Sequence, residues 1–250
     1  MLASLADLNY AVEWRIINAA DYGMPQRRRR IYILGYKKGS TIYKQLLGVK
    51  NKLDWLIKDG VFAKAFKVAS NVLLPKEFLI EGTLGEITEQ FNLNSKVSPF
   101  ENSGVMLNRK VITTKVIPIE SQVKIVLNDI IEHDEELIPQ EYYIDEKREL
   151  ELWLAHKGSK NETRTTKDGF TYTYSEGAMV FPDPLDKPSR TIVTGEGGRT
   201  PSRFKHVVKT RSGKLRRLTP EELEKLNMFD PGHTAGASDA TRAFFMGNAL

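Results

Sequence analysis

The chain has 250 residues, of which 40% are apolar, and a net charge of +5. This length supports one large or two modest hydrophobic cores in a protein of ordinary globular composition. The absence of cysteine excludes disulfides, thiolate metal sites and a cysteine nucleophile within these residues, and the four histidines lack metal-ligand spacing. Because the sequence has neither a membrane-spanning apolar run nor a signal-peptide pattern, we expect a cytoplasmic protein without metal or membrane partners.

The first segment predicts a strand, a loop and a second strand. Residues 10–17 and 31–36 are short apolar and aromatic runs, which are typical of strands. Residues 18–30 between them are polar and contain Gly23 and Pro25. Two strands cannot bury both of their faces, so we expect this pair to complete a sheet whose other strands lie elsewhere.

Residues 40–184 have an irregular pattern of short apolar segments interrupted by prolines, without a repeat. Helical spacing of Val123, Val126, Leu127, Ile130 and Ile131 predicts one helix. A second predicted helix places Ile144, Leu150, Trp153 and Leu154 on its apolar face. We interpret both apolar faces as core packing.

Charge is distributed unevenly along the chain. Residues 129–151 carry ten acidic and two basic residues, so this stretch should face away from any polyanion. Residues 199–219 carry eight basic residues and no acidic one, which favours a polyanion contact over a merely solvated face. These eight are Arg199, Arg203, Lys205, Lys209, Arg211, Lys214, Arg216 and Arg217.

A helix start follows this basic stretch. Thr219 is the expected N-cap, Pro220 occupies the first helical position, and Glu222 can reach back to the amide of the cap. The helix should bury Leu223 and Leu226 and end before Pro231 and Gly232. A last helix is predicted over residues 239–246.

Several segments resemble, in the same order, the later motifs of the DNA (cytosine-5) methyltransferases. Residues 18–30, Asn-Ala-Ala-Asp-Tyr-Gly-Met-Pro-Gln-Arg-Arg-Arg-Arg, are similar to the N-A-x-D-Y-G-x-P-Q-x-R-x-R loop of that family. Residues 188–194 resemble its P-x-x-T-I block, and residues 216–223 resemble its R-x-L-T-P-x-E helix start. Residues 247–250, Gly-Asn-Ala-Leu, resemble its closing G-N-A/S-V block.

The resemblance implies an α/β fold with the end of a doubly wound, S-adenosylmethionine-dependent methyltransferase sheet and an irregular α+β target-recognition domain. We expect residues 1–38 to belong to the catalytic domain, residues 39–198 to form the target-recognition domain, and residues 199–250 to return to the catalytic domain. If the sheet is incomplete, Ile16, Ile31 and Ile33 should form an exposed apolar edge.

The amino-terminal motifs of the family do not occur in this sequence, which lacks the F-x-G-x-G cofactor loop, the Pro-Cys loop and the Glu-Asn-Val block. Methylation at C5 requires a cysteine thiolate to add to C6 of an extruded cytosine. We therefore expect a truncated methyltransferase, or the carboxy-terminal subunit of a two-chain enzyme, that is inactive without its amino-terminal partner. The alternative is a stand-alone DNA-binding protein derived from a methyltransferase.

The resemblance also implies roles for individual residues. Gln26, Arg28 and Arg30 should orient the target base, with Arg28 and Arg30 on one side of the incoming strand. Asn18, Asn248 and Ala249 should contact S-adenosylmethionine, which is shared with the missing amino-terminal part. Double-stranded DNA is the expected partner, which would place the protein at the nucleoid. The expected DNA-binding residues are Lys157, Lys160, Arg164, Arg190, Thr191, Arg199, Arg203 and Lys205.

Overall fold

The computed structural model describes residues 1–70, 74–90 and 98–249, which form two compact units. Unit 1 comprises residues 1–22 and 29–121, and unit 2 comprises residues 23–28 and 122–250. These borders differ from the expected divisions after residues 38 and 198, because the first two strands cluster with the residues that follow them. The three-part division by function therefore stays a prediction. Among the described residues, no helix is long and apolar enough to cross a membrane.

The described residues of unit 1 form five strands and five short helices. The strands are β1 (Tyr10–Asn18), β2 (Arg29–Lys37), β3 (Lys76–Leu79), β4 (Ser103–Leu107) and β5 (Lys110–Thr114). The helices are α1 (Leu2–Asp7), α2 (Thr41–Gly48), α3 (Lys52–Asp54), α4 (Val61–Ala65) and α5 (Leu84–Glu89), with a π-helical turn at Trp55–Asp59 after α3 and a 3₁₀ turn at Ala19–Tyr22 after β1. Both strands expected from the sequence are confirmed.

The five strands form one antiparallel sheet in the order β2-β1-β4-β5-β3. Strand β1 is buried along nearly its whole length because both of its faces are covered: Ala11 packs with residues of α2, and Val12 and Trp14 pack against α1. Trp14 lies opposite Gly104 of β4, where a Cβ atom would overlap the indole ring. The partners of β1 thus come from this chain, whereas we expected them elsewhere. The doubly wound arrangement stays a prediction.

Two charged side chains of β1 are buried in unit 1. Glu13 accepts hydrogen bonds from the Tyr36 hydroxyl at 2.6 Å and the Trp55 indole N–H at 2.9 Å. Arg15 donates to the carbonyl oxygens of Leu56 and, at 2.9 Å, Phe66. These bonds fix β1 and β2 to the helical segment of residues 41–66, which explains why the two strands cluster with it.

Strand β2 forms one edge of the sheet and exposes apolar side chains. Ile31 is 57% exposed, Ile33 is 36% exposed, and Ile16 on the neighbouring strand is 42% exposed. The prediction of an exposed apolar edge at these three isoleucines is confirmed. An exposed, apolar edge strand is a surface at which another polypeptide can add.

In unit 2, the part of the chain that the structure describes forms three helices and two small antiparallel sheets. Its helices are α6 (Glu146–Lys157), α7 (Pro220–Leu226) and α8 (Asp239–Asn248). Strands β6 (Lys160–Thr165) and β7 (Thr171–Glu176) form a hairpin, and β8 (Val207–Lys209) pairs with β9 (Leu215–Arg217). Short 3₁₀ turns lie at Leu127–Asp129, Glu135–Leu137, Gln140–Tyr142 and Thr194–Glu196.

The start of α7 confirms the capping prediction. Thr219 accepts from the Glu222 amide, the Glu222 carboxylate accepts from the Thr219 amide, and Pro220 begins the helix. Leu223 and Leu226 then enter the main core of unit 2 together with Ala243 and Met246 of α8. The predicted last helix is also confirmed, and it extends to Asn248.

The predicted helix over residues 123–131 is wrong. Its one helical element is the 3₁₀ turn at Leu127–Asp129, the other residues of the segment form no regular helix or strand, and Val123 is 68% exposed. Leu127, Ile130 and Ile131 nevertheless lie in the core of unit 2, because a single tight turn brings them to one side. The second predicted helix exists as α6 with Trp153 buried, but Leu154 is exposed and Ile144 precedes the helix.

Candidate functional site

Residues 23–28 belong to unit 2 although the residues on both sides of them belong to unit 1. This loop pairs with Ser189: the Arg27 amide donates to the Ser189 carbonyl at 2.8 Å, and the Ser189 amide donates to the Pro25 carbonyl at 2.7 Å. The Thr191 hydroxyl donates to the Arg27 carbonyl at 2.6 Å. The loop is therefore held against the segment of residues 188–194 by backbone hydrogen bonds.

The side chain of Gln26 is buried and has hydrogen bonds at both ends. Its oxygen accepts from the Ile192 amide at 3.0 Å, and its nitrogen donates to the Leu226 carbonyl at 3.2 Å and to Asn227 at 2.9 Å. The side-chain nitrogen of Asn227 in turn donates to the Met246 carbonyl at 2.9 Å. Gln26 thus connects the loop to the carboxy-terminal end of α7 and, through Asn227, to α8.

Arg28 is also buried, and its guanidinium group contacts backbone carbonyls of unit 2. It donates to Ile192 at 3.2 Å, to Gly247 at 3.1 Å and to Ala249. A further bond of 3.3 Å joins it to the side-chain oxygen of Gln26. Two of the residues expected to contact a base are therefore bonded to two other sequence motifs, residues 188–194 and 247–250, and to the carboxy-terminal end of α7. We call Gln26 and Arg28 the Gln-Arg node.

Two glycines allow the last helix to approach the 188–198 segment closely. A Cβ atom on Gly247 would overlap the backbone of Val193 and Thr194, and one on Gly197 would lie 2.8 Å from the Cα of Ala240. Room for either Cβ atom could not be made by moving a flexible side chain, because the nearest atoms belong to the backbone. The small residue in the closing motif is therefore required for packing.

Arg30 is the second residue of β2, in unit 1, and is half-buried. Its guanidinium donates to the Arg29 carbonyl at 2.8 Å. Arg28 precedes the strand, so the alternation argument that placed Arg28 and Arg30 on one side does not apply to it. The base-contacting role of Arg30 stays a prediction.

A buried chain of three polar side chains was missed by the sequence analysis. The Ser189 hydroxyl lies 2.9 Å from Nε2 of His206, and Nδ1 of His206 lies 2.8 Å from the Glu196 carboxylate. The order resembles the serine, histidine and acid of hydrolases, but all three side chains are buried. Its position beside Pro25 and Arg27 indicates that it supports the Gln-Arg node. No spacing in the sequence marks these three residues.

Three of the expected DNA-binding residues, Lys157, Arg203 and Lys205, are buried in unit 2, and their charged groups bind groups of this chain, so their DNA-binding role stays a prediction. Lys157 donates to the carbonyls of Arg203, at 2.8 Å, and of Lys205. Lys205 donates to the carbonyls of Gly198 at 3.0 Å and Thr200 at 2.6 Å. Burial lowers the pKa of Lys157 to about 8, with the charge of Arg190 acting in the same direction.

Arg203 is the third of these residues, and it connects the two ends of the β6–β7 hairpin. It donates to the carbonyl of Gly158, just before β6, at 2.7 Å and to the carbonyl of Gly177, just after β7. It also forms an ion pair of 2.9 Å with Glu176. Because Arg216 and Arg217 are buried as well, the basic stretch of residues 199–219 is not a continuous polyanion-binding face.

The remaining expected DNA-binding residues are partly or fully accessible. Arg190 pairs with Asp183 at 2.5 Å, and Arg199 is exposed and pairs with Glu141. Lys160 is half-buried and Arg164 is exposed, both on the hairpin. The Thr191 hydroxyl is already bonded to the Arg27 carbonyl. Lys160, Arg164 and Arg199 therefore remain the candidates for phosphate contacts.

The residues expected at S-adenosylmethionine offer some polar groups for a ligand. The side-chain oxygen of Asn18 is buried and lacks a hydrogen-bond partner among the described residues, while its nitrogen donates to Asp21 at 2.7 Å. Asn248 is exposed at the end of α8, and the carbonyl of Ala249 accepts from Arg28. Leu250, the last residue of the closing motif, lies outside the described residues. The S-adenosylmethionine-binding roles of Asn18, Asn248 and Ala249 stay predictions.

Comparison with known proteins gives the same assignment as the motifs. The C-5 cytosine-specific DNA methylase family matches residues 1–250. The chain is 38% identical over 255 residues to the type II methyltransferase M.Sau3AI of Staphylococcus aureus, with 100% of this chain and 58% of that protein covered. Shorter matches are M.NgoBV of Neisseria gonorrhoeae, 45% identical over 61 residues (24% of this chain, 14% of that protein), and M.MthTI of Methanothermobacter thermautotrophicus, 45% identical over 38 residues (15% of this chain, 12% of that protein).

The chain therefore spans 58% of the length of M.Sau3AI. The family match extends along the whole chain, and the Gln-Arg node joins the segments that carry the family's motifs. On this evidence the chain belongs to the C-5 cytosine-specific DNA methylase family.

Proposed function

We propose that this chain is the DNA-reading and base-orienting part of an enzyme that transfers a methyl group to C5 of cytosine in a specific DNA site. The observation that carries the proposal is the Gln-Arg node, which bonds the 23–28 loop to residues 192, 226, 227, 247 and 249. These residues lie in or beside the other motifs of the family.

Within this function, Gln26 and Arg28 act as positioning residues. Both side chains are buried and donate hydrogen bonds to backbone carbonyls of this chain. We therefore assign them the role of fixing the loop, not of contacting the base directly. Arg30 is the second residue of the strand that follows the loop, and its half-exposed guanidinium is the group we assign to the extruded cytosine. A charged donor can hold the O2 atom of that base through a hydrogen bond.

The nucleophile must come from polypeptide outside these 250 residues, because the sequence contains no cysteine. S-adenosylmethionine is the methyl donor of the family and supplies the methyl group when bound. We assign the unpartnered oxygen of Asn18 and the exposed side chain of Asn248 to its polar groups. The exposed edge of β2 is the surface we assign to the partner polypeptide, since its backbone groups and isoleucines are available for strand addition.

The test is reconstitution. The chain alone and the chain mixed with the segment of M.Sau3AI that it does not cover are each assayed for transfer of labelled methyl groups to DNA. We expect activity only in the mixture and only with duplex DNA. Robust transfer by the chain alone would overturn the proposal, and DNA binding without transfer in mixtures with several family amino-terminal segments would favour the stand-alone DNA-binding alternative.

A further inference from the structure

The β6–β7 hairpin has two faces of very different composition. The strands pair in register from Lys160 opposite Glu176 to Thr165 opposite Thr171, so alternate pairs point to opposite faces. One face, which we call the threonine face, carries only hydroxyl and amide side chains, and all of them are exposed. It consists of Asn161, Thr163, Thr165, Thr171, Thr173 and Ser175.

The opposite face carries the charged and aromatic residues of the strands, and these interact with one another. Arg164 lies 3.5 Å from the centre of the Tyr174 ring and forms an ion pair of 3.2 Å with Glu162. The Tyr174 hydroxyl donates to Glu176. These contacts stiffen the hairpin from one side and leave the threonine face without charge.

The base of the hairpin is anchored in unit 2. Arg203 binds the carbonyls of Gly158 and Gly177, one on each side of the hairpin, and pairs with Glu176. Lys157 in turn binds the carbonyl of Arg203 at 2.8 Å. The ends of the two strands are thereby fixed, while residues 161–173 are exposed throughout.

We infer that the threonine face enters the major groove of the target duplex and reads base edges there, an inference that rests on the proposed function. The major groove is wide enough to admit a two-stranded ribbon. Asparagine pairs with adenine, serine and threonine hydroxyls both donate and accept, and the threonine methyl contacts the thymine methyl. At the hairpin tip, the exposed Lys167 is positioned to contact a phosphate.

The composition of the face argues for a groove over other partners. A surface that follows phosphates would present lysine and arginine, and a surface that binds another protein would present apolar or aromatic side chains. The threonine face has none of these. It also has no carboxylate, which the negative potential of a groove would repel. Hydrogen-bonding side chains without charge are suited to base edges.

The experiment compares the intact chain with a variant in which Thr163→Val and Thr173→Val remove two hydroxyls and keep the side-chain shape. A preferred site is first selected from randomised duplexes, and affinity is then measured for this site and for an unrelated duplex. We expect the variant to lose about tenfold or more in preference for the site and to bind the unrelated duplex as before. The matched control is Tyr172→Phe, which removes a hydroxyl from the opposite face and should leave the preference unchanged.

Dimethyl sulfate tests the groove, because it methylates guanine N7 in the major groove and adenine N3 in the minor groove. We expect N7-methylguanine in the site to reduce binding of the intact chain. In the double variant, this reduction should be smaller at one or two positions. Equal losses on both duplexes, no loss on either, or the same loss with Tyr172→Phe would overturn the inference. If the intact chain binds no DNA, both the proposed function and this inference fail. If the intact chain binds DNA but the threonine variant prefers the site as strongly as the intact chain does, only the inference about the hairpin fails. Amide hydrogen exchange confirms that the variants fold, and Thr165→Val with Thr171→Val repeats the test at the second threonine pair.

Discussion

The backbone amide of Ile192 donates to the side-chain oxygen of Gln26 over 3.0 Å, although 166 residues separate them. The amide is buried, and a buried donor without a partner is costly. A side chain in the 23–28 loop thus helps to hold the 188–194 segment, and this relationship leads to the first of five predictions.

Gln26→Ala should lower the free energy of unfolding of unit 2 by about 2–4 kcal/mol, because it leaves buried polar groups of Ile192 and Asn227 without partners. Urea denaturation followed by hydrogen exchange in unit 2 measures the change. The control is Gln45→Ala, on the exposed side of α2, which should change stability by less than about 0.5 kcal/mol. Equal stability of the Gln26→Ala variant and the parent would show that the Gln-Arg node is not structural.

Arg30→Ala should reduce turnover of the reconstituted enzyme about ten- to a hundredfold and leave DNA affinity nearly unchanged, because we assign Arg30 to the extruded base. Single-turnover rates and DNA titrations separate the two effects. Its neighbour Arg29 is exposed on the same strand, and Arg29→Ala serves as the control that should retain turnover. Comparable losses of turnover in both variants would contradict the assignment.

Lys167→Gln should lower the slope of log affinity against log salt by about one unit, because the hairpin tip is where we expect a phosphate contact. The control is Lys147→Gln, which lies at the start of α6 in the acidic stretch and should leave the slope unchanged.

Arg203→Ala should release the base of the hairpin, because Arg203 binds the carbonyls on both sides of it. We expect faster hydrogen exchange across β6 and β7 in the Arg203→Ala variant. Unchanged exchange in these two strands would show that Arg203 does not anchor the hairpin.

Acid should destabilise unit 2 partly through Glu224. Burial by itself would raise the pKa of this carboxyl group, but hydrogen bonds from Thr234, Arg242 and Gly232 outweigh it and lower the pKa to about 2. The folded pKa is thus below the ordinary value of 4.5, so the stabilisation is complete above pH 4.5 and is lost as the pH falls from 4.5 towards 2.

The loss amounts to at most about 3 kcal/mol. Denaturation curves between pH 6 and pH 2 measure it, and Glu224→Gln should be less stable than the parent at pH 6 and nearly equal to it near pH 2. A variant with the same pH dependence as the parent would refute the role of Glu224. Glu221 provides the control, because its carboxylate is half exposed and Glu221→Gln should have a smaller effect.

The sequence was informative where one local pattern decides the structure. The capping box at Thr219 and the strand patterns around residues 10–17 and 31–36 depend on neighbouring residues, and all were confirmed. The predicted helix at residues 123–131 failed because apolar spacing cannot distinguish a helix from an irregular segment with one 3₁₀ turn.

Burial of charged residues was harder to foresee, because it depends on distant carbonyl groups. Lysine and arginine in a polar stretch normally indicate a surface. Lys157 did give a signal, since it follows the buried Trp153 by four residues and so shares its helical face. Arg203 and Lys205 gave none, because the carbonyls they bind lie on turns whose path the sequence does not define.

The crossing of the chain between its two units limits how the protein can be divided. Unit 2 receives residues 23–28 from a loop whose flanking residues belong to unit 1, so no single cut separates the units. A fragment that begins at residue 122 would lack Gln26 and Arg28, and the amide of Ile192 would lose its acceptor. Such a fragment would need residues 23–28 restored, either as a peptide added in trans or as a fused extension, before it could be expected to fold as unit 2 does in the whole chain.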